Sequence, residues 1–161
     1  MAKTYDTRID LSSEARSELI ALLNKNLAEA LDLYSQTKQA HWNVKGVDFI
    51  QLHELFDELA ENLEGHVDEL AERATALGGV ARGTVRMAAA DSDLAEYPDD
   101  VADGIKHVGL LADRYGEYGN RVREAIDKAE ELGDPVTADL FTGISRDLDK
   151  HLYFLESHIQ I

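Results

Sequence analysis

Two pairs of potential metal ligands lie close together in the sequence HELFDELAENLEGHVDELAE. His53 and Asp57 are four residues apart and form what we call the N-terminal pair; Asp68 and Glu72 have the same spacing and form the C-terminal pair. On a helix, each pair would share one face. Imidazole and carboxylate together suit Fe(II), Mn(II) or Zn(II). The stretch therefore indicates a metal site, although solvated acids and hydrogen-bonded histidines would give the same pattern.

The two pairs are too far apart on one helix to share a metal ion. Their fifteen-residue offset corresponds to about 22 Å along the axis but only about 60° around it. An antiparallel copy of the helix would place each pair opposite the other pair of its partner, with the centre near Asn62 and Leu63. Gly65 would permit close backbone approach there, and His41 could complete each site. The spacing thus predicts two equivalent sites in a two-fold dimer, if this face is an interface.

A di-iron site within one chain fits the sequence less well. Such sites in helical bundles use Glu-x-x-His motifs on facing helices. No Glu in this chain is followed by His three residues later. The spacing of the ligands therefore leaves two readings open, a site between subunits and no metal site.

Composition indicates one acidic, helix-rich domain over residues 1–161 with a short N-terminal tail, residues 1–11. The chain is 44% hydrophobic with two prolines, and 16 basic against 32 acidic residues give a formal charge of −16. Such a surface attracts cations and repels polyanions. The absence of cysteine excludes disulfides and thiolate metal sites. No long apolar run or signal peptide is evident, so we expect a cytoplasmic protein without membrane contact.

Four segments have apolar residues every three or four positions, which is typical of amphipathic helices. Ser12 or Ser13 can cap the first, which runs to about Trp42. The second covers residues 52–77 and stops at Gly78-Gly79, a natural left-handed terminus.

The second half of the chain contains the other two helices. Residues 80–98 lack sustained periodicity and predict a long connection with room for a short helix. The third helix is predicted from Val101 to Ile126, and the fourth carries apolar residues from Leu140 to Ile159, after a Gly-Asp-Pro stop and start signal. The prediction is an all-α, ferritin-like four-helix bundle with a long crossover between helices 2 and 3.

At the ligand residues the sequence resembles the Dps family, the mini-ferritins known as DNA-binding proteins from starved cells. The matching segments run in family order from about residue 38 to the end: KQAHWNVKG, FIQLHELFDE, HVDELAERATALGG, YPDDV, LADRYG and SRDLDKHLYFLESHI. The resemblance implies a hollow shell of twelve subunits built from two-fold dimers.

The resemblance also implies a ferroxidase centre shared between subunits. One subunit would supply His41, His53 and Asp57, and its two-fold mate Asp68 and Glu72. The implied reaction is oxidation of Fe(II) to Fe(III), preferably by hydrogen peroxide, with ferric mineral stored in the shell. The ligand types leave zinc or manganese open as competitors.

Further residues match the family less closely. Trp42 occupies the aromatic position beside the centre, where it would act as an auxiliary residue that scavenges oxidising equivalents or would simply pack in the core. Asp139 matches an aspartate of the acidic three-fold pores, with Asp134 and Asp149 as weaker pore candidates, and Asp134 also reads as a helix cap. Four histidines match no family site, although an accessory metal role is open for the last two: His66, His107, His151 and His158. Three glutamates could line the cavity or simply face solvent: Glu54, Glu58 and Glu61.

Direct DNA binding is expected to be weak or absent. Relatives that bind DNA often use a basic terminal tail, but here Lys3 and Arg8 are balanced by Asp6 and Asp10. The charge of −16 opposes contact with a duplex. The alternative function is a nucleoid-associated protein that protects DNA by coating it, with iron chemistry incidental.

Overall fold

The structure, a computed structural model, describes residues 3–160. The first two residues of the predicted tail and residue 161 of the predicted domain lie outside this range. None of the described helices is long and apolar enough to cross a membrane. Within the described range the chain forms α1 (Ser13–Asn43), α2 (Phe49–Ala76), α3 (Val85–Asp91), α4 (Gly104–Glu131) and α5 (Pro135–Glu156).

The helix ends follow local sequence signals. The side chain of Ser12 accepts a hydrogen bond from the Ala15 amide at 3.1 Å and caps α1. Gly78 follows α2 with a φ of 88°, which side chains with a Cβ rarely adopt. Asp134 caps α5, and Pro135 occupies its first turn, as the sequence predicts.

The long helices form two packed pairs around one core. α1 packs along α2, and α4 along α5, while α1–α4 and α2–α5 contacts join the pairs. Four large aromatic side chains are fully buried between them: Phe56, Tyr115, Tyr118 and Phe141. The connection between α2 and α4 contains α3, which packs on α1. The all-α, ferritin-like bundle with a helix-containing crossover is thereby confirmed.

Two helix boundaries predicted from periodicity are wrong. Val101 lies before α4, because the Lys45 amide donates to the Ala102 carbonyl at 2.8 Å and holds this segment extended. Asp103 then caps the helix by accepting from the Lys106 amide at 3.0 Å. Ile159 lies beyond the end of α5 at Glu156, in a turn.

The described part of the N-terminal tail folds back onto the end of α2. The Tyr5 amide donates to the Gly78 carbonyl at 2.7 Å. The Arg16 guanidinium donates to the carbonyls of Tyr5 and Leu77 at 3.4 and 3.3 Å. This tail is therefore attached to its own chain at Tyr5.

Candidate metal centre

The end of α1 and the start of α2 bring two histidine rings into contact. The rings of His41 and His53 stack with centroids 3.7 Å apart and planes 20° apart. The short turn between the helices makes this possible, and Gly46 in it has a φ of 121°. His41 is buried, whereas His53 is partly exposed. Residues twelve apart in sequence thus form one imidazole cluster.

Reciprocal hydrogen bonds fix the orientation of both imidazoles. Nδ1 of His41 lies 2.7 Å from the His53 carbonyl oxygen, and Nδ1 of His53 lies 2.9 Å from the His41 carbonyl oxygen. A carbonyl oxygen only accepts, so each Nδ1 carries a hydrogen and donates it. When the rings are neutral, each Nε2 keeps a lone pair. In metal sites, a hydrogen bond at the other ring nitrogen orients a histidine ligand in the same way.

The carboxylate of Asp57 adjoins these rings and is held by a lysine. Oδ1 of Asp57 lies 3.9 Å from Nε2 of His41. The Lys38 ammonium donates to the same oxygen at 2.5 Å. This hydrogen bond lowers the pKa of the Asp57 carboxyl, and the positive charge of the neighbouring groups acts in the same direction. A cation arriving at the cluster would have to displace Lys38 from Asp57.

Lys38 was missed in the sequence reasoning. It precedes His41 by three residues, so the helix period alone places both on one face of α1. The contact with Asp57 depends on the packing of α1 against α2, which periodicity does not specify.

An apolar surface patch adjoins the imidazole cluster. Trp42 is 64% exposed, so its ring does not pack in the core of this chain, and Lys38 lies 5.8 Å from its centroid. Val47, Phe49 and Ile50 are also exposed. Exposed apolar side chains that are concentrated in one segment beside polar residues are typical of an interaction site.

The C-terminal pair lies at the other end of α2. Asp68 and Glu72 are both exposed, and α2 is one continuous helix from Phe49 to Ala76. The structure thus brings together His41, His53 and Asp57 but not the C-terminal pair. Within residues 3–160, no group of three or more His, Asp or Glu side chains is placed to hold a metal ion. His41, His53 and Asp57 therefore do not form a complete metal site within the described chain.

Gly65 interrupts the exposed face of α2 between the two pairs. A Cβ at this position would meet no atom of the chain within 4 Å. Glycine in a helix interior costs about 1 kcal/mol relative to alanine. Packing within the chain therefore does not explain this glycine, whereas close approach of a second helix would.

The pore candidates have different surroundings. Asp134 is only 3% exposed, and its carboxylate accepts from the Arg73 guanidinium at 2.8 Å and from the Thr137 hydroxyl. Burial acts to raise the pKa of Asp134, but these hydrogen bonds outweigh it and lower the pKa. Its environment fits the capping role. Asp149 is exposed and paired with Arg123.

Asp139 is exposed and lines an open groove between α2 and α5. Glu69 and Glu72 line the same groove, which has a volume of about 510 Å³. A pore candidate and a ligand candidate therefore share one acidic surface.

The remaining candidates divide into buried and exposed groups. His66 is buried, and its Nε2 lies 3.0 Å from Oδ2 of Asp147. His107 and His151 are also buried, whereas His158 is exposed and its Nδ1 donates to the Phe154 carbonyl at 2.7 Å. Three glutamates are exposed: Glu54, Glu58 and Glu61.

Comparisons with known proteins give one consistent result. A family model described as a ferritin-like domain matches residues 20–161. The DNA protection during starvation protein of Agrobacterium fabrum is 49% identical over 158 residues, covering 98% of each chain. The structure of DpsA14 from Streptomyces coelicolor has a TM-score of 0.94 at 34% identity, covering 99% of this chain and 95% of that one.

A structure with lower sequence identity is described together with its superfamily. The Dps protein of Vibrio cholerae has a TM-score of 0.90 at 27% identity, covering 99% of this chain and 98% of that one. That protein is described as a member of a broad superfamily of ferritin-like diiron-carboxylate proteins. With the fold, these matches show that the chain belongs to the Dps family of ferritin-like proteins.

Proposed function

We propose that this protein is an iron-storage mini-ferritin that oxidises Fe(II) to Fe(III), preferably with hydrogen peroxide. The observation that carries the proposal is the imidazole cluster. The His41 and His53 rings stack, backbone carbonyls fix both, and the Asp57 carboxylate lies 3.9 Å from Nε2 of His41. This ligand set suits Fe(II). Relatives in the ferritin-like diiron-carboxylate superfamily support the same chemistry.

The proposed centre is shared between two subunits. His41, His53 and Asp57 of one subunit hold Fe(II), and the exposed Asp68 and Glu72 of its two-fold mate complete the shell. Each antiparallel dimer contains two such centres, and twelve subunits enclose the mineral. The exposed apolar patch beside the cluster and the unexplained Gly65 both support coverage of this face by a second copy.

The proposed reaction balances without releasing a radical. Two Fe(II) ions each give one electron to hydrogen peroxide, which takes up two protons and leaves as two water molecules. The carboxylates offset part of the added charge on the two Fe(III) ions. Trp42 lies beside the cluster on the surface, where it can intercept oxidising equivalents that escape.

Cation entry is proposed to use acidic pores at the three-fold axes. Asp139 is the leading candidate because it is exposed in a groove that also contains Glu72. Asp149 is weaker because it is paired with Arg123, and Asp134 is weakest because its carboxylate caps α5. Zinc and manganese would compete for the same ligands, and metal analysis after competition with Fe(II) measures that preference.

Protection of DNA is proposed to result from removal of iron and peroxide. The relative in Agrobacterium fabrum is named for DNA protection. Coating of DNA is disfavoured here by the charge of −16. Lys3 and Arg8 near the N-terminus are balanced by Asp6 and Asp10, so residues 3–10 carry no net positive charge. A mobility shift of duplex DNA at moderate salt would instead support the coating alternative.

The test is peroxide-driven oxidation of Fe(II), followed by ferric absorbance, together with the mass of the native particle. Replacing His41, His53 and Asp57 together by Ala should abolish the fast phase and leave the particle mass unchanged. Loss of residues that merely support metal ligands typically reduces affinity or activity by about 10–100-fold, so loss of the ligands should exceed this. Asp127→Asn, an exposed acid on α4, is the matched control. Unchanged oxidation in the triple variant would refute the centre.

A further inference from the structure

A tyrosine and a histidine outside the proposed centre form a close hydrogen-bonded pair. The phenol oxygen of Tyr97, in the connection before α4, lies 2.6 Å from Nδ1 of His107 on α4. The two ring planes differ by only 6°. The short distance between the phenol oxygen and Nδ1 is favourable for transfer of a proton between them.

Burial keeps both members of the pair neutral. It raises the pKa of the Tyr97 phenol. Burial also lowers the pKa of His107, which is 1% exposed, against smaller opposing effects of the Val101 carbonyl and Asp103. The phenol therefore donates to Nδ1, and the ring hydrogen of His107 is on Nε2. The Val101 carbonyl also interacts with this imidazole, so the phenol and that carbonyl together orient the ring.

The neighbouring buried tyrosines lack such a base. The Tyr115 hydroxyl lies 3.4 Å from the hydroxyl of Thr37, and the Tyr118 hydroxyl donates to the Asn26 carbonyl at 3.3 Å. Neither a hydroxyl nor a carbonyl takes up a proton near neutral pH. Removing an electron from either phenol would leave a buried positive charge, which is strongly unfavourable. At Tyr97 the proton can move to His107, so the positive charge comes to rest on an imidazolium, which is a far weaker acid than an oxidised phenol.

The pair lies one aromatic side chain away from the ligand face of α2. The ring of Phe56 meets His107 edge-on, with centroids 6.4 Å apart. Phe56 directly precedes Asp57 and follows His53 by three residues. Side chains in van der Waals contact therefore connect the helix that carries the imidazole cluster with Tyr97.

We propose that Tyr97 and His107 form a proton-coupled redox site that quenches hydroxyl radicals. The radical takes one electron from Tyr97 and becomes hydroxide, while the phenolic proton moves to Nδ1 of His107. The products are a neutral tyrosyl radical and an imidazolium. Fe(II) then returns an electron to the tyrosyl radical and becomes Fe(III), and the proton moves back from His107 to the phenol.

This inference rests on the proposed function, which supplies the hydroxyl radical. Fe(II) that meets hydrogen peroxide singly gives Fe(III), hydroxide and a hydroxyl radical. A centre designed to pair two electrons would release this radical when only one iron is bound. A tyrosine near the centre that can be oxidised and reset by further Fe(II) would protect both the shell and its surroundings.

The experiment is electron paramagnetic resonance on samples frozen within milliseconds of mixing Fe(II)-loaded protein with hydrogen peroxide. The unaltered protein and Tyr153→Phe, which changes a tyrosine that is 64% exposed, should both give a persistent tyrosyl signal. Tyr97→Phe should lose that signal while keeping its rate of Fe(II) oxidation. A persistent signal of full intensity in Tyr97→Phe would overturn the proposal.

The role of His107 is tested by its removal and by solvent isotope. His107→Gln should reduce the persistent signal and make the protein accumulate more oxidative damage under peroxide. If this variant does not fold, formation of the radical in the unaltered protein should still be slower in D2O. Equal rates in the two solvents would contradict transfer of the proton to His107.

An iron-free arm separates this inference from the proposed function. Azide radicals generated by pulse radiolysis oxidise the protein without any metal, and the persistent tyrosyl signal should again depend on Tyr97. A signal here without iron oxidation would reject the proposed function and retain the redox pair. Normal iron oxidation with no Tyr97-dependent signal in either arm would reject the pair alone.

Discussion

The two ends of α2 carry potential metal ligands that differ in how firmly the chain itself holds them. At the first end, His53 stacks on His41, and backbone carbonyls hold both rings through Nδ1. At the second end, Asp68 and Glu72 are exposed. The histidine nearest to them, His66, points inward and bonds to Asp147 of α5 through Nε2.

The contrast shows how one helix can serve two purposes. The chain itself organises the imidazole half of the proposed centre, because ring orientation requires contacts that only α1 and α2 together provide. In the proposed centre the exposed carboxylates meet a partner, whereas His66 points inward and bonds to Asp147, which joins α2 to α5. A site built this way is completed only by association, so assembly and chemistry become linked.

Substitution of Gly65 is expected to have the largest effect, because it should keep the two ends of α2 from meeting those of a second copy. Gly65→Leu should leave the helix intact, since a Cβ there meets nothing in the chain, but should block the approach of a second α2. We expect loss of two-fold dimers in native mass measurements and loss of fast Fe(II) oxidation. Gly109→Leu on α4, whose Cβ would also meet no atom within 4 Å, is the matched control. Intact dimers in Gly65→Leu would show that the partner covers a different face.

Substitution of Lys38 should have a smaller effect, on metal binding at the start of α2. Lys38→Met removes the ammonium that pairs with Asp57 and competes with an incoming cation. An exposed ion pair contributes little, so Co(II) binding under anoxic conditions should tighten by only about two- to fivefold. Titration calorimetry measures this, with Lys45→Met, an exposed lysine in the same region, as control. Weaker binding than in the control would mean that Lys38 aligns Asp57 instead of competing.

The smallest expected effect is a dependence of the protein's stability on pH, and it arises where α2 packs on α5. His151 lies with His66 and Asp147 in the α2–α5 contact, and Lys150 and Glu58 are the other charged groups near it. Burial is the largest influence and lowers the pKa of His151. As the pH falls below about 6.5, the unfolded chain takes up a proton that the folded chain refuses, so stability decreases.

Thermal unfolding between pH 7.5 and 5.5 (on either side of the ordinary imidazole pKa of about 6.5) measures this dependence. His151→Phe should reduce the fall in Tm, since Tyr115 and Phe154 provide an aromatic environment for the new ring. His158→Gln changes an exposed histidine and should leave the fall unchanged. An identical fall in His151→Phe would assign the acid sensitivity to other groups.

The sequence predicts the features that depend on helix period and local capping. The offset between the two ligand pairs, the cap at Ser12 and the stop at Gly78 all follow from spacing or residue type. The short helix in the crossover also agrees with the prediction. Periodicity fails at Val101 and Ile159, because apolar spacing can continue past a helix end that hydrogen bonds define.

Contacts between distant segments are beyond what periodicity can predict. The stacking of His41 on His53 depends on the tight turn after α1. The pairing of Tyr97 with His107 depends on how the long connection returns to α4. The exposure of Trp42 is also invisible in the sequence, since a tryptophan at the end of an amphipathic helix is as compatible with core packing as with an interface.

The most direct test of the shared centre is complementation between two inactive variants. One carries Ala at His41, His53 and Asp57, and the other carries Ala at Asp68 and Glu72. In a mixed dimer, one centre has both halves intact and the other has neither.

Dissociating and reassembling equal amounts of the two variants should therefore restore fast Fe(II) oxidation to about a quarter of the unaltered rate, since half of randomly formed dimers are mixed. Each variant reassembled alone should remain inactive. Recovery in the mixture would establish that two subunits build each centre. No recovery, with mixed dimers demonstrated by mass, would contradict it.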